Sequence, residues 1–379
     1  MYNMKSKLAQ KPIQIKDNGI PKIDELLKRV IEKGASDLHL VVHSPPVLRI
    51  DGLLIPQEDI PPLNPDDVDA FLDQTISKDQ RNIFINEHEL DSAYSVAGLG
   101  RFRINALKQR GSTSLAFRLV PYDMPTIDEL GLPQVCKQLI LKPRGLILVT
   151  GPSGSGKSTT LAAMIGHLNK NEQRNVITIE EPIEFLFKND KCIIHQRDIG
   201  SDTTSFAKAL KHSLRHDPDV IVIGEMRDLT TISTAMSAAE TGHLVLGTLH
   251  TYDAAQSIDR IIDVFPPAQQ RQVRLQLSQV LEAVLSQTLL PHINGGRIAA
   301  FEIMLATSVI RRLIRDEKIW EITPNIEMGI REGMQSMDQA LADLVRNNRV
   351  SKEDALLRSS DPVKLDSLIS NRDKYEYVR

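Results

Sequence analysis

Residues 145–160 read GLILVTGPSGSGKSTT, and no other stretch of the chain restricts the fold so tightly. An apolar run of strand formers leads directly into three glycines, and a helix-forming stretch, LAAMIGHL, follows at once. Gly151, Gly156, Lys157 and Ser158 stand at the spacing G-x-x-x-x-G-K-[ST] between that strand and that helix. Glycines let a backbone curl until successive N–H groups face one concavity. The first turn of the helix adds partial positive charge to it. Such a concavity suits phosphate, with Lys157 placed to reach β- and γ-phosphates and Ser158 to ligate Mg²⁺. A glycine-rich turn with an accidental lysine would need neither the strand before it nor the helix after it. The candidate cofactor-binding residues are therefore Gly151, Ser153, Gly154, Ser155, Gly156, Lys157, Ser158 and Thr159, and the expected ligands are ATP and Mg²⁺.

The motif predicts an α/β fold, and the surrounding pattern agrees. The short apolar runs GLILVTG, NVITIE, DVIVIGE and HLVLGTLH alternate with helical stretches, the signature of a parallel sheet covered by helices. In such sheets ligands sit beyond the C-terminal strand ends. Glu180 and Glu181 end one run, Glu225 a second and His250 a third, so all four are candidates to face the same nucleotide. One carboxylate there would orient Mg²⁺ through water, and another would position the attacking water. A carboxylate that ends a strand is often only solvated, and a lone histidine is more often structural; three acids at the edge of one phosphate-loop sheet weigh against that. His243 begins the last run and is expected at the opposite edge unless the loop folds back.

Upstream, residues 21–120 read as a small α+β domain: an amphipathic helix stopped at Gly34, strand-like pieces, and a helical segment from Pro65 to Glu87. Residues 1–20 read as an arm, and 121–133, with three prolines and a glycine, as a linker. Residues 134–379 form the phosphate-loop domain, with a long helix expected over AQQRQVRLQLSQVLEAVLSQTLL and a helical C-terminal part. A net charge of −3 and 4% aromatic residues argue against a nucleic-acid partner. Two cysteines, Cys136 and Cys192, build neither a disulfide framework nor a four-cysteine zinc site, which suits a cytoplasmic protein. No apolar run approaches a membrane span, so work at a membrane would go through partners and not through insertion.

Five motifs, ASDLHL, GPSGSGKSTT, TIEEPIEF, LRHDPDVIVIGEMRD and TGHLVLGTLHT, resemble in order those of the type II and type IV pilus secretion ATPases, the PilT-like retraction ATPases above all. The resemblance runs from about Pro21 to about Ile369. It implies a RecA-like ATPase domain behind a PAS-like N-terminal domain, a homohexameric ring, and docking on an inner-membrane platform protein at the inner face of the cytoplasmic membrane. It implies contact with the pilin filament only indirectly. It also implies Glu180 as the catalytic glutamate, Glu225 as the acid near Mg²⁺, His243 and His250 as the His-box pair, and arginines of the N-terminal domain, Arg103 and Arg118, completing a neighbour's site. The chain departs from the pattern at Glu181, where the family usually has aspartate, and in SVIRRLIRDEK, which matches the C-terminal motif only loosely. The ending is similar to that of PilU-type paralogues. Competing readings are a pilus extension or type II secretion ATPase, a nucleic-acid translocase, and a weakly active accessory subunit. Relatives of the extension type carry extra N-terminal domains and a four-cysteine insertion.

Overall fold

The computed structural model describes residues 20–121 and 124–370. Nearly all of the expected arm, residues 1–19, lies outside the described residues. The chain divides into two compact units at residues 122/123.

The first unit opens with α1 (Ile23–Glu32), whose Ile23, Leu26, Leu27 and Val30 repeat at helical spacing and are buried together. Gly34, at φ +64°, ends it. Three short strands follow, β1 (Asp37–Leu40), β2 (Val47–Ile50) and β3 (Leu53–Pro56). The helical segment expected over 65–87 is two helices, α2 (Pro65–Thr75) and α3 (Lys78–Glu87). Each starts in a capping box, Asn64 with Asp67 and Ser77 with Gln80. The long strands β4 (Glu89–Val96), β5 (Gly100–Gln109) and β6 (Ser112–Val120) complete an antiparallel sheet in the order β3-β2-β1-β6-β5-β4. Phe102, Ile104 and Ala106 of β5 alternate into the core with Leu115 and Phe117 of β6. Arg101 and Arg103 take the opposite face of β5.

The second unit holds α4 (Val135–Ile140), β7 (Gly145–Thr150), α5 (Lys157–Asn171), β8 (Asn175–Glu180), β9 (Ile193–Asp198), α6 (Phe206–Ser213), β10 (Val220–Ile223), α7 (Leu229–Glu240), β11 (Leu244–Leu249), α8 (Ala254–Asp263), α9 (Pro267–Val280), β12 (Leu281–Pro291) and β13 (Arg297–Leu305). A helical tail follows: α10 (Ser308–Arg315), α11 (Ile322–Met328), α12 (Met337–Arg346), α13 (Lys352–Leu356) and α14 (Pro362–Ser370). The sheet order is β13-β12-β7-β11-β10-β8-β9, parallel from β12 to β9, with β13 antiparallel at one edge. β7, β10 and β11 are buried along their whole length, which accounts for their unbroken apolar runs.

Two expectations are corrected here. The long helix stops at Val280, and its second half is β12. Leu281, Ala283, Val284 and Leu285 are all buried, and an apolar run enclosed on both faces carries no periodicity to separate strand from helix. The expected linker also ends early. Ile127 and Leu132 are buried against Cys136, Leu139 and Leu168, so the chain is already part of the second core there.

Candidate nucleotide site

β7 ends at Thr150, and the chain turns through the glycine loop into α5. Gly151 has φ +143°, and a Cβ there would lie 2.2 Å from the Gln287 carbonyl oxygen and 2.7 Å from Ser155 Oγ. Only glycine fits. Gly156, at φ +90°, hands the loop to the helix. Lys157 Nζ donates to the Gly151 and Pro152 carbonyls at 2.8 and 3.0 Å, which folds its head into the loop's concavity. Burial pulls this ammonium below the usual lysine range, with Glu225 and Glu184 opposing the shift.

A cavity of about 480 Å³ lies over the loop. Ser153, Gly154, Gly156, Lys157, Ser158 and Thr159 line one wall, while Glu180, Glu181, Glu225 and His250 line another. Gly151 and Ser155, both buried, do not line it. The sheet therefore brings the expected strand-end residues to one place.

The two principal carboxylates differ sharply. Glu180 Oε1 accepts from Thr178 Oγ1 at 2.6 Å and from Gln196 Nε2 at 3.1 Å. Burial nevertheless dominates, and it pushes the Glu180 carboxyl above the usual range. Burial acts in the same sense on Glu225, but the Arg227 guanidinium, which donates to Oε1, and His250, whose Nε2 lies 3.1 Å away, outweigh it. The Glu225 carboxyl is held below the usual range. The charge of Glu181 adds a smaller contribution that favours the Arg227 cation. Thr248 Oγ1 donates to the Gly224 carbonyl and ties the ends of β10 and β11 together, which fixes Glu225 beside His250.

His243 is not part of this group. It precedes β11, where its carbonyl accepts from the Gly145 N–H at 3.1 Å, and β11 runs six residues from there to the loop edge. That distance is roughly 20 Å. Its Nδ1 donates to the Ala238 carbonyl at 2.9 Å, a local cap on the end of α7. The expected His-box pair is thus split between opposite edges of the sheet. Arg103 and Arg118 lie on the first unit, opposite one another on β5 and β6. Arg118 Nε donates to Asp37 Oδ1 at 2.7 Å. Burial would raise that carboxyl, but the Ser36 hydroxyl and Arg118 hold it down.

Several residues at the site escape a reading of the sequence. Thr178 and Gln196 hold Glu180, Arg227 holds Glu225, and Arg297 of β13 lines the cavity with Leu289 of β12. Gln287 of β12 donates Nε2 to the Ser155 carbonyl at 2.6 Å. Arg227 is legible as the first charge after Glu225. The β12 and β13 residues are hidden when the strand is read as helix.

A glycine loop at a helix start, two acids and a histidine on the same sheet edge define a P-loop nucleotide-binding domain on a RecA-like sheet. The chain belongs to the Type II/IV secretion system protein family, whose model matches residues 16–354. It is 46% identical to the "Type IV pilus retractation ATPase PilT" of Pseudomonas aeruginosa, over 90% of this chain and 98% of that one. It is 41% identical to the "Type IV pilus ATPase PilU" of the same organism, over 88% and 87%. Among solved structures, the pilus retraction motor PilT with bound ADP superimposes with a TM-score of 0.84 at 46% identity, covering 92% of this chain and all of that one.

Proposed function

We propose that this protein is an ATP-hydrolysing motor that powers type IV pilus retraction, acting as a homohexamer docked on an inner-membrane platform protein at the cytoplasmic face of the membrane. The observation that carries the hydrolytic part is the pair of carboxylates pushed in opposite directions in one cavity. Opposed shifts assign opposed roles. Glu180, raised by burial, accepts a proton from the attacking water, which is oriented by the same carboxylate. Glu225, held ionised, keeps its negative charge available to a cation that accompanies the phosphates. Lys157 and the loop N–H groups neutralise charge on the β- and γ-phosphate oxygens.

Among the described residues no cluster of three or more acidic, histidine or cysteine side chains is placed to cage a metal. Mg²⁺ keeps waters and phosphate oxygens and needs few protein ligands, and Ser158 and Glu225 line the same cavity. Ser158 would hold it directly and Glu225 through water, and it would supply charge neutralisation at the phosphates. Arg103 is the leading candidate to complete a neighbour's site, because the charge of Arg118 is already engaged by Asp37.

The retraction reading rests on similarity that spans nearly the full length of a retraction ATPase. The similarity to PilU keeps a second retraction subtype within the same reading. A deletion strain with fluorescently labelled pili tests it. Static, often more numerous pili are expected. Bald cells would point to extension instead, and unchanged retraction to an accessory subunit. For the chemistry, Glu180→Gln should keep ATP binding and lose roughly 10²–10⁴-fold in turnover. Near-normal hydrolysis by that variant would remove Glu180 from the role.

A further inference from the structure

The β12–β13 hairpin meets the nucleotide site at two separate places. On β12, Gln287 is 1% exposed and donates to the Ser155 carbonyl at 2.6 Å, while Ser286 accepts from the Thr150 hydroxyl at 3.0 Å. The backbone of Gln287 also closes against Gly151. On β13, Glu302 is 4% exposed, and its Oε1 accepts from the Ala254 N–H at 2.7 Å. Ala254 opens α8, four residues after His250, whose ring touches Glu225. Ser286 and Glu302 are register partners on the hairpin ladder. One rigid strand pair therefore grips both the loop that receives phosphate and the segment that presents His250.

Asp253 accepts from the Gln256 N–H at 2.7 Å, and Glu302 takes a second first-turn donor of α8, the buried Ala254 N–H. A buried carboxylate in that role is costly. What it adds is a tie between that helix and the hairpin. The loop end of the hairpin carries a similar cost: Ser155 Oγ and Gln287 Oε1 are buried without a hydrogen-bond partner among the described residues. Local rules broken at two ends of one element fit a shape held for function.

We propose that Gln287 and Glu302 are positioning residues and that the hairpin is the brace that registers the phosphate loop against the His250 segment. The proposal rests on the ATPase reading, and neither residue touches nucleotide in it. Gln287 sets the loop and so governs nucleotide affinity. Glu302 sets His250, hence Glu225, and so governs turnover.

The test uses the full chain, a fluorescent ADP titration, steady-state hydrolysis, a thermal melt and amide exchange at Ala254. Gln287→Met keeps volume and removes the donor; ADP binding should weaken about tenfold, the worth of one hydrogen bond. Glu302→Leu should lower kcat roughly 10–100-fold, the cost of a small misplacement, with ADP affinity unchanged and the Ala254 amide exchanging faster. Glu302→Gln keeps the acceptor and should restore both turnover and protection. Should the leucine variant fail to fold, Glu302→Asp shortens the reach by one methylene and carries the same expectation. Wild-type turnover in a folded Glu302→Leu or Glu302→Asp chain overturns the brace. Wild-type protein that binds no ADP overturns the ATPase reading beneath it.

Discussion

Glu302 makes the stability of the second unit depend on pH in a way that can be worked out from its surroundings. Its carboxyl is almost fully buried, and desolvation pushes it from 4.5 to about 7; the Ala254 N–H opposes, while Asp253, Asp338 and Glu327 add to the rise. Below pH 4.5 the group is protonated in both folded and unfolded chains and contributes nothing pH-dependent. Between 4.5 and about 7 the unfolded chain loses the proton first, so folded stability falls as pH rises. Above about 7 both forms are ionised and the loss is complete. At about 1.4 kcal/mol per unit, the full loss is about 3 kcal/mol. Glu302→Gln retains the acceptor for Ala254 and cannot ionise. Denaturant melts of wild type and variant at half-unit steps from about pH 5 to 8.5 should show the variant gaining on wild type as pH rises to about 7, with no further change in their separation above it. A constant offset from the altered amide donors does not affect that slope. Parallel curves across the range would refute the assignment.

Three further outcomes follow from the site and core. Gly151→Ala places a methyl 2.2 Å from the Gln287 carbonyl oxygen, so nucleotide binding should be lost and stability should drop by about 1–3 kcal/mol, measured by ADP titration and melting. Lys157→Ala should weaken nucleotide binding as well as turnover, since its charge meets phosphate in the ground state, and a titration separates it from Glu180→Gln. Cys136 and Cys192 are both buried, and burial pushes the Cys136 thiol up to about 12; neither should react with a thiol reagent in the native protein, and both should react after unfolding.

The phosphate loop is legible in the sequence because its chemistry is contiguous: glycines, lysine and serine lie within one short segment, and the strand and helix that frame them are adjacent along the chain. Glu180, Glu225 and His250 are legible for a topological reason. Parallel strands deliver their last residues to one edge, so being the last polar residue of an apolar run is itself a coordinate. The same rule puts His243 at the far edge, whereas the resemblance to a His-box family groups it with His250. The sheet sides with the rule: Leu244 pairs with Gly145, and Leu249 with Thr150, at opposite ends of the strand. Gln196 carries no such signal. It sits inside an edge strand, and nothing in the sequence pairs β9 with β8.

The hairpin shows where pattern reading fails and which signal it neglects. Val280 passes from α9 directly into β12 with no glycine or proline between them. The turn that follows does mark the change: Asn294, Gly295 and Gly296 sit between VLSQTLLP and RIAAFEIML, and both glycines have positive φ. Asparagine and glycine between two apolar runs specify a hairpin, and a hairpin requires its first arm to be a strand. Once β12 is a strand beside β7, its register carries Ser286 against Thr150 and brings Gln287 under the glycine loop. The floor of the nucleotide site is thus encoded 132 residues along the chain from the loop serine it holds, in a turn whose consequence appears only when the sheet is assembled.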